Sequence, residues 1–379
     1  MKYKQRALKK HKDLKGKISI NVKDDLNDPV NLSLYYTPGV GAVSKYISDN
    51  PDSASDYTWL GNNVAIISDG SSVLGLGDIG PTAALPVMEG KAMLFKHFAD
   101  IDAIPVVIDS HSADEIVATV KSIAPSFGGI NLEDIAAPIC FEVEERLKNE
   151  LRIPVMHDDQ HGTAVVVLAG LINACKVSGK DINDCLIVVN GVGAAGVAIM
   201  RLLRRFAPGL TIIAVDSHGI IHKNRNDLNP TKQRLIDHSI ILANESGSLG
   251  KALKGADIFI GVSRGNILSE KDVKRMNKNP IIFAMANPEP EILPELAKKA
   301  GAGVVATGRS DFPNQVNNAL AFPGIFRGAL DNKVKRITTN HKIEAAKVIA
   351  ELVENPTPEN IIPSIYDKRL VPEIAKIIV

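Results

Sequence analysis

The sequence predicts an α/β protein of two domains, an N-terminal α/β domain followed by a doubly wound domain of the Rossmann type. Short apolar runs of strand length alternate with helix-like stretches along most of the 379 residues, which is the pattern of parallel sheets. The length suffices for two ordinary domains. A glycine-rich turn directly follows one strand-like run near position 191, and this succession of strand, turn and helix is typical of a doubly wound sheet.

Strand-like runs divide the chain into two units near position 161. The first half contains Asn63–Ser68, Ala103–Ile108 and Ile153–His157. We therefore expect one domain at 1–160 and a second, with C-terminal helices, at 161–379. The strands expected in the second half are Leu186–Val189, Thr211–Val215, Asp257–Ile260, Ile281–Met285 and Gly303–Ala306. Polar or glycine residues follow each of them, and the carboxyl ends of parallel strands face the ligand crevice.

Composition excludes several classes of function. Lys+Arg is 44 and Asp+Glu is 43, a formal net charge of +1, which gives no general attraction to nucleic acid or to an acidic membrane.

Cys140, Cys175 and Cys185 form no CxxC pair, so we expect free thiols in a reducing compartment. No signal peptide is visible, and the longest apolar stretch, Thr163–Cys175, is too short to span a bilayer. We expect a cytoplasmic protein, with a buried helix at this stretch and without nucleic-acid or membrane partners.

The segment CLIVVNGVGAAGVAIMRLL predicts a dinucleotide-binding turn. It places Gly191, Gly193 and Gly196 directly after a strand and at the start of a helix. The first glycine permits the tight turn, the second lets a pyrophosphate approach the backbone, and the third lets helix and strand pack closely. Ala194 and Ala195 complete the predicted cofactor loop.

The acid at the end of the next strand, Asp216, is predicted to bind the ribose of the dinucleotide. Its carboxylate would repel the 2′-phosphate of NADP, so the sequence favours NAD. Lys223 and Arg225 follow closely and leave NADP open, since either could meet a phosphate. A second GxGxxG match, at Gly75, Gly77 and Gly80, is separated from its strand by a polar turn, and we interpret it as a wall of the active cleft.

One lysine lies within the apolar stripe of a helix predicted over Thr82–Ala99. The stripe includes Met88 and Phe95, and Lys91 is three residues after the first and four before the second. Burial would lower the pKa of such a lysine, which could then act as a general base near neutral pH. The alternative is a lysine whose amine reaches solvent past the apolar surface.

Two acidic pairs predict a site for a hard divalent cation. Glu133 and Asp134 lie in NLEDI, whereas Asp158 and Asp159 lie in HDDQHGTA, between a strand and a helix. Mg²⁺ and Mn²⁺ prefer oxygen ligands and would neutralise these carboxylates. A helix N-cap explains one of the last two acids but not both. The two flanking histidines, four residues apart, leave a histidine-containing metal site as the alternative.

These motifs resemble those of the short bacterial malic enzymes. The resemblance runs from about Tyr35 to Arg327 and rests on several long, polar motifs. They are YTPGVG (Tyr36–Gly41), SDGSSVLGLGDIGP (Ser68–Pro81), MEGKAMLFK (Met88–Lys96), NLEDI (Asn131–Ile135), HDDQHGTA (His157–Ala164), NGVGAAG (Asn190–Gly196), ANPEPE (Ala286–Glu291) and ATGRSDFPNQVNNALAFPG (Ala306–Gly324).

The resemblance implies oxidative decarboxylation of L-malate to pyruvate and CO₂, with NAD or NADP as oxidant and Mg²⁺ or Mn²⁺ as metal. It implies that Tyr36 donates or accepts a proton, that Lys91 is the general base, and that Asp158 tunes the lysine. The implied metal ligands are Glu133, Asp134 and Asp159. The implied contacts to substrate and nicotinamide are Asn287, Asn317 and Asn318. Without the resemblance, the alternative is that Tyr36 is an aromatic residue in a turn and that the side chains of these asparagines cap loop backbone.

One departure concerns the substrate carboxylate. Longer eukaryotic-type enzymes have an arginine before LGLGD that binds malate, whereas this chain has DGSSV there. The resemblance therefore leaves Ser71, Ser72, backbone N–H groups or a residue from elsewhere to bind the carboxylate. It also implies a homodimer in which Tyr36 and Lys91 meet across subunits. The chain ends at Val379, and without an acyltransferase-like extension we expect no control by acetyl-CoA.

Two other classes of function stay open. One is another enzyme, either a metal-independent 2-hydroxyacid dehydrogenase or a decarboxylase that makes lactate. The other is a dinucleotide-sensing scaffold with an inactive site, against which the tyrosine, the lysine and the acids argue.

Overall fold

The computed structural model describes residues 2–73 and 75–379. Four helices precede the first strand: α1 (Lys2–Leu14), α2 (Pro29–Tyr35), α3 (Val40–Asp49) and α4 (Ala54–Tyr57). α2, α3 and α4, all of whose residues the structure describes, contain no buried residue. These helices therefore lie outside the core of the chain.

Four parallel strands form the first sheet: β1 (Asn63–Ser68), β2 (Asp102–Val107), β3 (Ile130–Leu132) and β4 (Val155–His157). Their order is β2–β1–β3–β4, and β3, only three residues long, was not among the predicted runs. The covering helices are α5 (Pro81–Ala99), α6 (Ala113–Ile123) and α7 (Ile139–Glu150). Successive strand residues point to opposite faces, so Ile66 packs with α5 whereas Ile67 packs with α6 and α7.

The second sheet has six strands: β5 (Leu186–Asn190), β6 (Thr211–Asp216), β7 (Gly219–Ile220), β8 (Ile258–Gly261), β9 (Ile281–Ala284) and β10 (Val304–Thr307). Their order is β10–β9–β8–β5–β6–β7, parallel except for the antiparallel edge strand β7. The five parallel strands fall on the five predicted runs. β7 was not predicted, because two residues after a tight turn carry no periodic signal.

A long helix, α8 (Asp158–Ser178), connects the two sheets. Of the helices in the described ranges, it alone is long and apolar enough to cross a membrane by length and composition, but 67% of that window is buried inside the protein. It packs against α9 (Ala194–Phe206) and α15 (Thr339–Glu351). It is therefore the buried core helix that the sequence predicted over Thr163–Cys175, extended at both ends. The domain boundary at 160/161 stays a prediction.

The remaining helices lie in the second half of the chain. They are α10 (Pro230–Asp237), α11 (Leu249–Ala252), α12 (Glu270–Val273), α13 (Pro294–Lys299), α14 (Phe322–Asp331) and α16 (Leu370–Ile377). The Phe322 and Phe326 rings of α14 lie with their centroids 4.7 and 5.4 Å from that of Phe95 on α5. α14 thus packs against the first sheet's helix α5, and one of three buried apolar clusters contains residues of both sheets. The predicted α/β class with a Rossmann-type domain is confirmed.

Candidate active site

Lys91 is buried on α5, with its side chain 7% exposed. Its Nζ lies 2.8 Å from Glu133 Oε1, forms a second ion pair with Asp158 Oδ2, and lies 4.1 Å from the centroid of the Phe322 ring. The apolar stripe of α5 that the sequence predicted thus positions the amine. The alternative of an amine in solvent is wrong.

The charge of this lysine differs from the expectation. Burial on its own lowers the pKa of Lys91, but the carboxylates of Asp158, Glu133 and Asp159 outweigh it, so the pKa is raised above its ordinary value. The predicted lowering of the pKa is therefore wrong for this arrangement. The position of the lysine in the helix indicated its burial but not how closely the acids face it.

The four acids lie together at the carboxyl ends of two neighbouring strands. Leu132 pairs with His157 across β3 and β4, so the residues that follow these two strands become neighbours. Glu133, Asp134 and Asp158 are buried, and the Asp134 N–H donates to Asp159 Oδ2 at 2.8 Å. Burial raises the pKa of Asp134 to about 9 and that of Asp158 to about 6. The arrangement thus sets four carboxyl groups against one lysine, and burial disfavours their ionised forms.

The donor set fits a hard divalent cation. It consists of carboxylate oxygens, which Mg²⁺ and Mn²⁺ prefer, and the buried Asp158 Oδ1 has no hydrogen-bond partner among the described residues. Within residues 2–73 and 75–379, no three His, Cys, Asp or Glu side chains converge closely enough to enclose an ion. Glu133 instead pairs with Lys91, and Asp159 accepts from the Asp134 N–H.

The flanking histidines do not act together. His157 is fully buried beside the acids, 3.7 Å from Asp159 Oδ2. The Nε2 of His161 instead lies 2.8 Å from Glu144 Oε2 on α7, so this side chain points away from the acids. The geometry gives no support to a histidine pair as metal ligands.

The loop after β1 lies beside the acids. The Ser71 hydroxyl donates to Asp69 Oδ1 at 2.6 Å and accepts from the Ala136 N–H at 2.8 Å. The Ser72 N–H donates to the Asp134 carbonyl at 2.9 Å, and its side chain is exposed. Of the two predicted substrate-binding serines, Ser71 is therefore engaged in holding the loop, and Ser72 is the more accessible.

Loops of the second sheet approach the same centre. A Cβ on Gly75 would lie 3.3 Å from the Asn287 carbonyl oxygen, so the second glycine-rich segment borders this predicted contact residue. A Cβ on Gly162 would meet Asp158 Oδ1 at 1.8 Å and the Asn318 Cβ at 3.1 Å. The Asn317 side chain accepts from the Ala319 N–H at 2.9 Å. Asn318 thus borders Asp158, Asn287 borders the glycine-rich segment, and Asn317 caps backbone.

Tyr36 is not brought to the lysine within one chain. It directly follows α2, is 68% exposed, and its N–H donates to the Leu32 carbonyl. Of the residues that the structure describes, none forms a side-chain hydrogen bond with it. The geometry of a single chain therefore leaves the proposed proton donor outside the site.

A crevice of about 990 Å³ opens at the carboxyl ends of β5, β6 and β8. Gly191 and Gly193 line it, and α9 begins at Ala194 and Ala195 with its N-terminus directed to the crevice. A Cβ on Gly196 would lie 1.9 Å from the Gly191 carbonyl oxygen, so this position requires glycine. The turn has the geometry that a pyrophosphate needs.

Asp216 also lines the crevice, but it is already ion-paired. Its two oxygens accept from the Arg225 guanidinium at 2.8 and 3.0 Å and from Lys232 Nζ at 2.6 Å. The sequence indicated Arg225 as a possible phosphate contact and did not indicate Lys232, which lies on the separate helix α10. Lys223 donates only its backbone N–H, to Ala243, among the bonds of the described chain.

Glu291 is a further residue that sequence reasoning missed. It is fully buried, and it accepts from the Ala286 N–H at 2.9 Å and the Ser263 N–H at 3.3 Å. It therefore ties together the loops that follow β8 and β9, next to Asn287. Its place as the last acid of ANPEPE was the available signal.

Fold and site together define a nicotinamide-dinucleotide enzyme with an acidic, lysine-containing centre. A family model described as the NAD-binding domain of malic enzyme matches residues 160–378, and one described as the N-terminal domain of malic enzyme matches 15–114 and 110–148. The chain belongs to the malic enzyme family, which confirms the resemblance read from the motifs.

Similar proteins cover nearly the whole chain. The bifunctional malic/malolactic enzyme of Bacillus subtilis is 51% identical over 99% of this chain and 92% of its own. The NAD-dependent malic enzyme of Geobacillus stearothermophilus is 53% identical over 96% of this chain and 76% of its own. A crystal structure of the NAD-dependent malic enzyme of Thermotoga maritima matches with a TM-score of 0.94 and 50% identity, covering 98% of each chain.

Proposed function

We propose that the chain oxidatively decarboxylates L-malate to pyruvate and CO₂, reduces NAD(P)⁺, and requires Mg²⁺ or Mn²⁺. The observation that carries this proposal is the buried Lys91 amine, ion-paired with Glu133 and Asp158 at the edge of a sheet whose loops meet those of the dinucleotide-binding sheet. The similar proteins named as malic enzymes support it.

Each residue has a role in this proposal. Glu133, Asp134 and Asp159 would hold the divalent ion, which supplies a Lewis acid for the malate C2 oxygen and neutralises two of the carboxylates that keep Lys91 charged. Lys91 Nζ would take the C2 hydroxyl proton, and the residues of the crevice would hold the dinucleotide, whose nicotinamide would supply the hydride acceptor. Loss of CO₂ from the resulting β-keto acid leaves enolpyruvate, which Tyr36 Oη protonates at C3.

We propose NAD as the preferred cofactor because the Asp216 carboxylate faces the crevice. Burial opposes its charge, but Arg225 and Lys232 hold the pKa of Asp216 below its ordinary value, so it is ionised at neutral pH. The ionised group accepts from a ribose hydroxyl and repels a 2′-phosphate. Similar proteins are named for both cofactors, including an NADP-dependent malic enzyme of Halomonas elongata at 45% identity.

We propose a homodimer in which Tyr36 enters the partner's site, in a cytoplasmic protein. The N-terminal helices expose apolar side chains that the chain itself does not cover, including Leu32 and Leu34, which are 49% and 58% exposed. Such a surface is typical of an interface. The three cysteines are free and buried, which agrees with a reducing compartment.

A steady-state assay tests the activity. Purified enzyme is given L-malate, either cofactor, and Mn²⁺ or Mg²⁺, against the same mixture with a chelator. We expect malate-dependent NADH, pyruvate and CO₂ that the chelator abolishes. The malolactic activity in the name of the B. subtilis relative makes lactate the specific rival product, so lactate without NADH, or no malate turnover, would reject the proposal.

Variants test the two proton-transfer residues. Lys91→Ala and Tyr36→Phe should each lose turnover by about 10²-fold or more, the usual contribution of general acid–base catalysis, while NAD⁺ still binds. Lys96→Ala, on the same helix but exposed, and Tyr35→Phe, the neighbouring exposed tyrosine, are the matched controls. Turnover retained in both site variants would contradict the assignment.

Mixed dimers test whether the site is shared. A Lys91→Ala chain paired with a Tyr36→Phe chain has one intact site if the two residues meet across subunits and none if they meet within one chain. Mixing equal amounts after dissociation should therefore restore about a quarter of wild-type turnover in an isologous dimer. Activity no higher than that of either parent variant would show that the site is not shared.

A further inference from the structure

A second cavity, of about 740 Å³, lies between α7, α9, α10 and the start of α15. It shares no lining residue with the dinucleotide crevice, and none of the four acids around Lys91 lines it. We call it the basic cavity, because seven lysines and arginines line it against two carboxylates, Glu144 and Glu145. The cations are Lys148, Arg201, Arg205, Arg234, Lys335, Arg336 and Lys342.

Lys342 is the buried cation of this cavity. It lies in the first turns of α15 and is only 5% exposed. In the described part of the chain, no carboxylate lies within ion-pair distance of its Nζ and no acceptor forms a hydrogen bond with it. Burial lowers the pKa of Lys342 to about 7, and the positive charge of Lys148 acts in the same direction. A buried amine without a partner is costly.

Glu144, the carboxylate whose charge acts on Lys342, already has other hydrogen-bond and ion-pair partners. Glu144 Oε1 accepts from the His157 N–H at 3.0 Å and pairs with Lys148, while its Oε2 lies 2.8 Å from His161 Nε2. Glu145, the second acid of the lining, lies 3.9 Å from Arg234 and is 68% exposed. The charge of Glu144 favours the charged form of Lys342, but neither acid forms an ion pair with the buried amine among the described residues.

Other groups of the cavity favour an anion as well. Thr338 and Thr339, at the N-terminus of α15, line it, and the backbone N–H groups of a helix N-terminus attract negative charge. Arg201 and Arg336 also line the cavity, form no ion pair within the described residues, and are both exposed. Guanidinium groups bind planar or tetrahedral oxyanions through paired N–H bonds.

We propose that the basic cavity binds a small multivalent oxyanion, a phosphate compound or a dicarboxylate, with Lys342 as its buried anchor. The anion would supply the acceptor that Lys342 lacks, and the exposed arginines would neutralise its remaining charge. This site is independent of the proposed malate chemistry, because it shares no residue with either the lysine centre or the cofactor crevice.

Calorimetric titration of the NAD⁺-saturated enzyme tests the proposal, since NAD⁺ blocks the pyrophosphate position of the crevice. Inorganic pyrophosphate and succinate are the two probes, and they distinguish phosphate from dicarboxylate sources. Lys342→Met keeps the length of the side chain and removes its charge. Lys347→Met makes the same change on the same helix outside the cavity, at a side chain that is 44% exposed.

We expect one probe to bind and its dissociation constant to rise about tenfold or more in Lys342→Met, the usual loss for a hydrogen bond to a charged group. Lys347→Met should bind as the wild type does. If Lys342→Met fails to fold, Arg201→Met, at an exposed position, should weaken binding in the same direction. Equal affinity in wild type and the cavity variants, or no binding of either probe at about 10 mM, would overturn the proposal.

Discussion

Replacing Asp216 with alanine should shift cofactor preference from NAD towards NADP. The carboxylate lines the crevice and accepts hydrogen bonds from Arg225 and Lys232. Its removal takes away the acceptor proposed for the ribose hydroxyl and the negative charge that opposes a 2′-phosphate. It also leaves two cations at the same place without their main partner.

The magnitude follows from these contacts. A hydrogen bond to a charged group contributes about 1.5–3 kcal/mol; the variant loses one such bond to NAD and gains one to NADP. Taking the lower value for each gives about 3 kcal/mol, or roughly a hundredfold change in the ratio of kcat/KM for NADP to that for NAD. Relief of the repulsion between carboxylate and phosphate adds to this in the same direction.

Initial rates at saturating L-malate and Mn²⁺, with each cofactor varied, give the ratio directly. Asp227→Ala is the matched control, because Asp227 also pairs with Arg225, at 2.8 Å from its Nε, but does not line the crevice. An exposed ion pair of this kind contributes about 1 kcal/mol at most, so the control should change the ratio by less than about fivefold. An unchanged ratio in Asp216→Ala, or the same shift in both variants, would refute the reasoning.

Three further predictions concern the turn, the loops and a buried acid. Gly196→Ala should lower the Tm, since its Cβ would lie 1.9 Å from the Gly191 carbonyl oxygen. A Cβ at Gly193 would meet no atom within 4 Å, so Gly193→Ala should keep the Tm and weaken NAD⁺ binding. Equal Tm values in the two variants would contradict this. Glu291→Gln should lower the free energy of unfolding by about 1–3 kcal/mol, because one buried N–H loses its acceptor. An unchanged midpoint of urea unfolding would argue against a role of Glu291 in holding the two loops together. Burial opposes the charge of Glu144, but His161 and Lys148 hold its pKa well below the ordinary value. The stabilisation that the ionised group provides is therefore complete above the ordinary carboxyl pKa and is lost as the pH falls towards the pKa of the folded state. Glu144→Gln should flatten the acid side of a plot of Tm against pH, and parallel curves for variant and wild type would count against this reasoning.

Local patterns in the sequence predicted the local parts of the structure. The alternation of strands and helices, the glycine turn after β5 and the apolar stripe of α5 each depend on residues a few positions apart, and each is present. The ion pairs of Asp216 with Arg225 and Lys232 were not predicted, because Arg225 was expected only to meet a phosphate and Lys232 reaches the acid from the separate helix α10. No periodicity encodes such a contact, since it depends on where α10 packs.

The same distinction explains the misjudged charge of Lys91. Helical spacing indicated that the amine is buried, and burial alone lowers a lysine pKa. Its actual charge depends on the register of β3 with β4, which brings Glu133 and Asp158 to the amine from segments far apart in sequence. Four neighbouring carboxyl groups face one ammonium in a buried place, so ionising all four costs free energy unless another cation shares the charge. The acids that hold the lysine charged include those proposed to bind the metal, so in this fold metal binding and the readiness of Lys91 to accept a proton are necessarily linked.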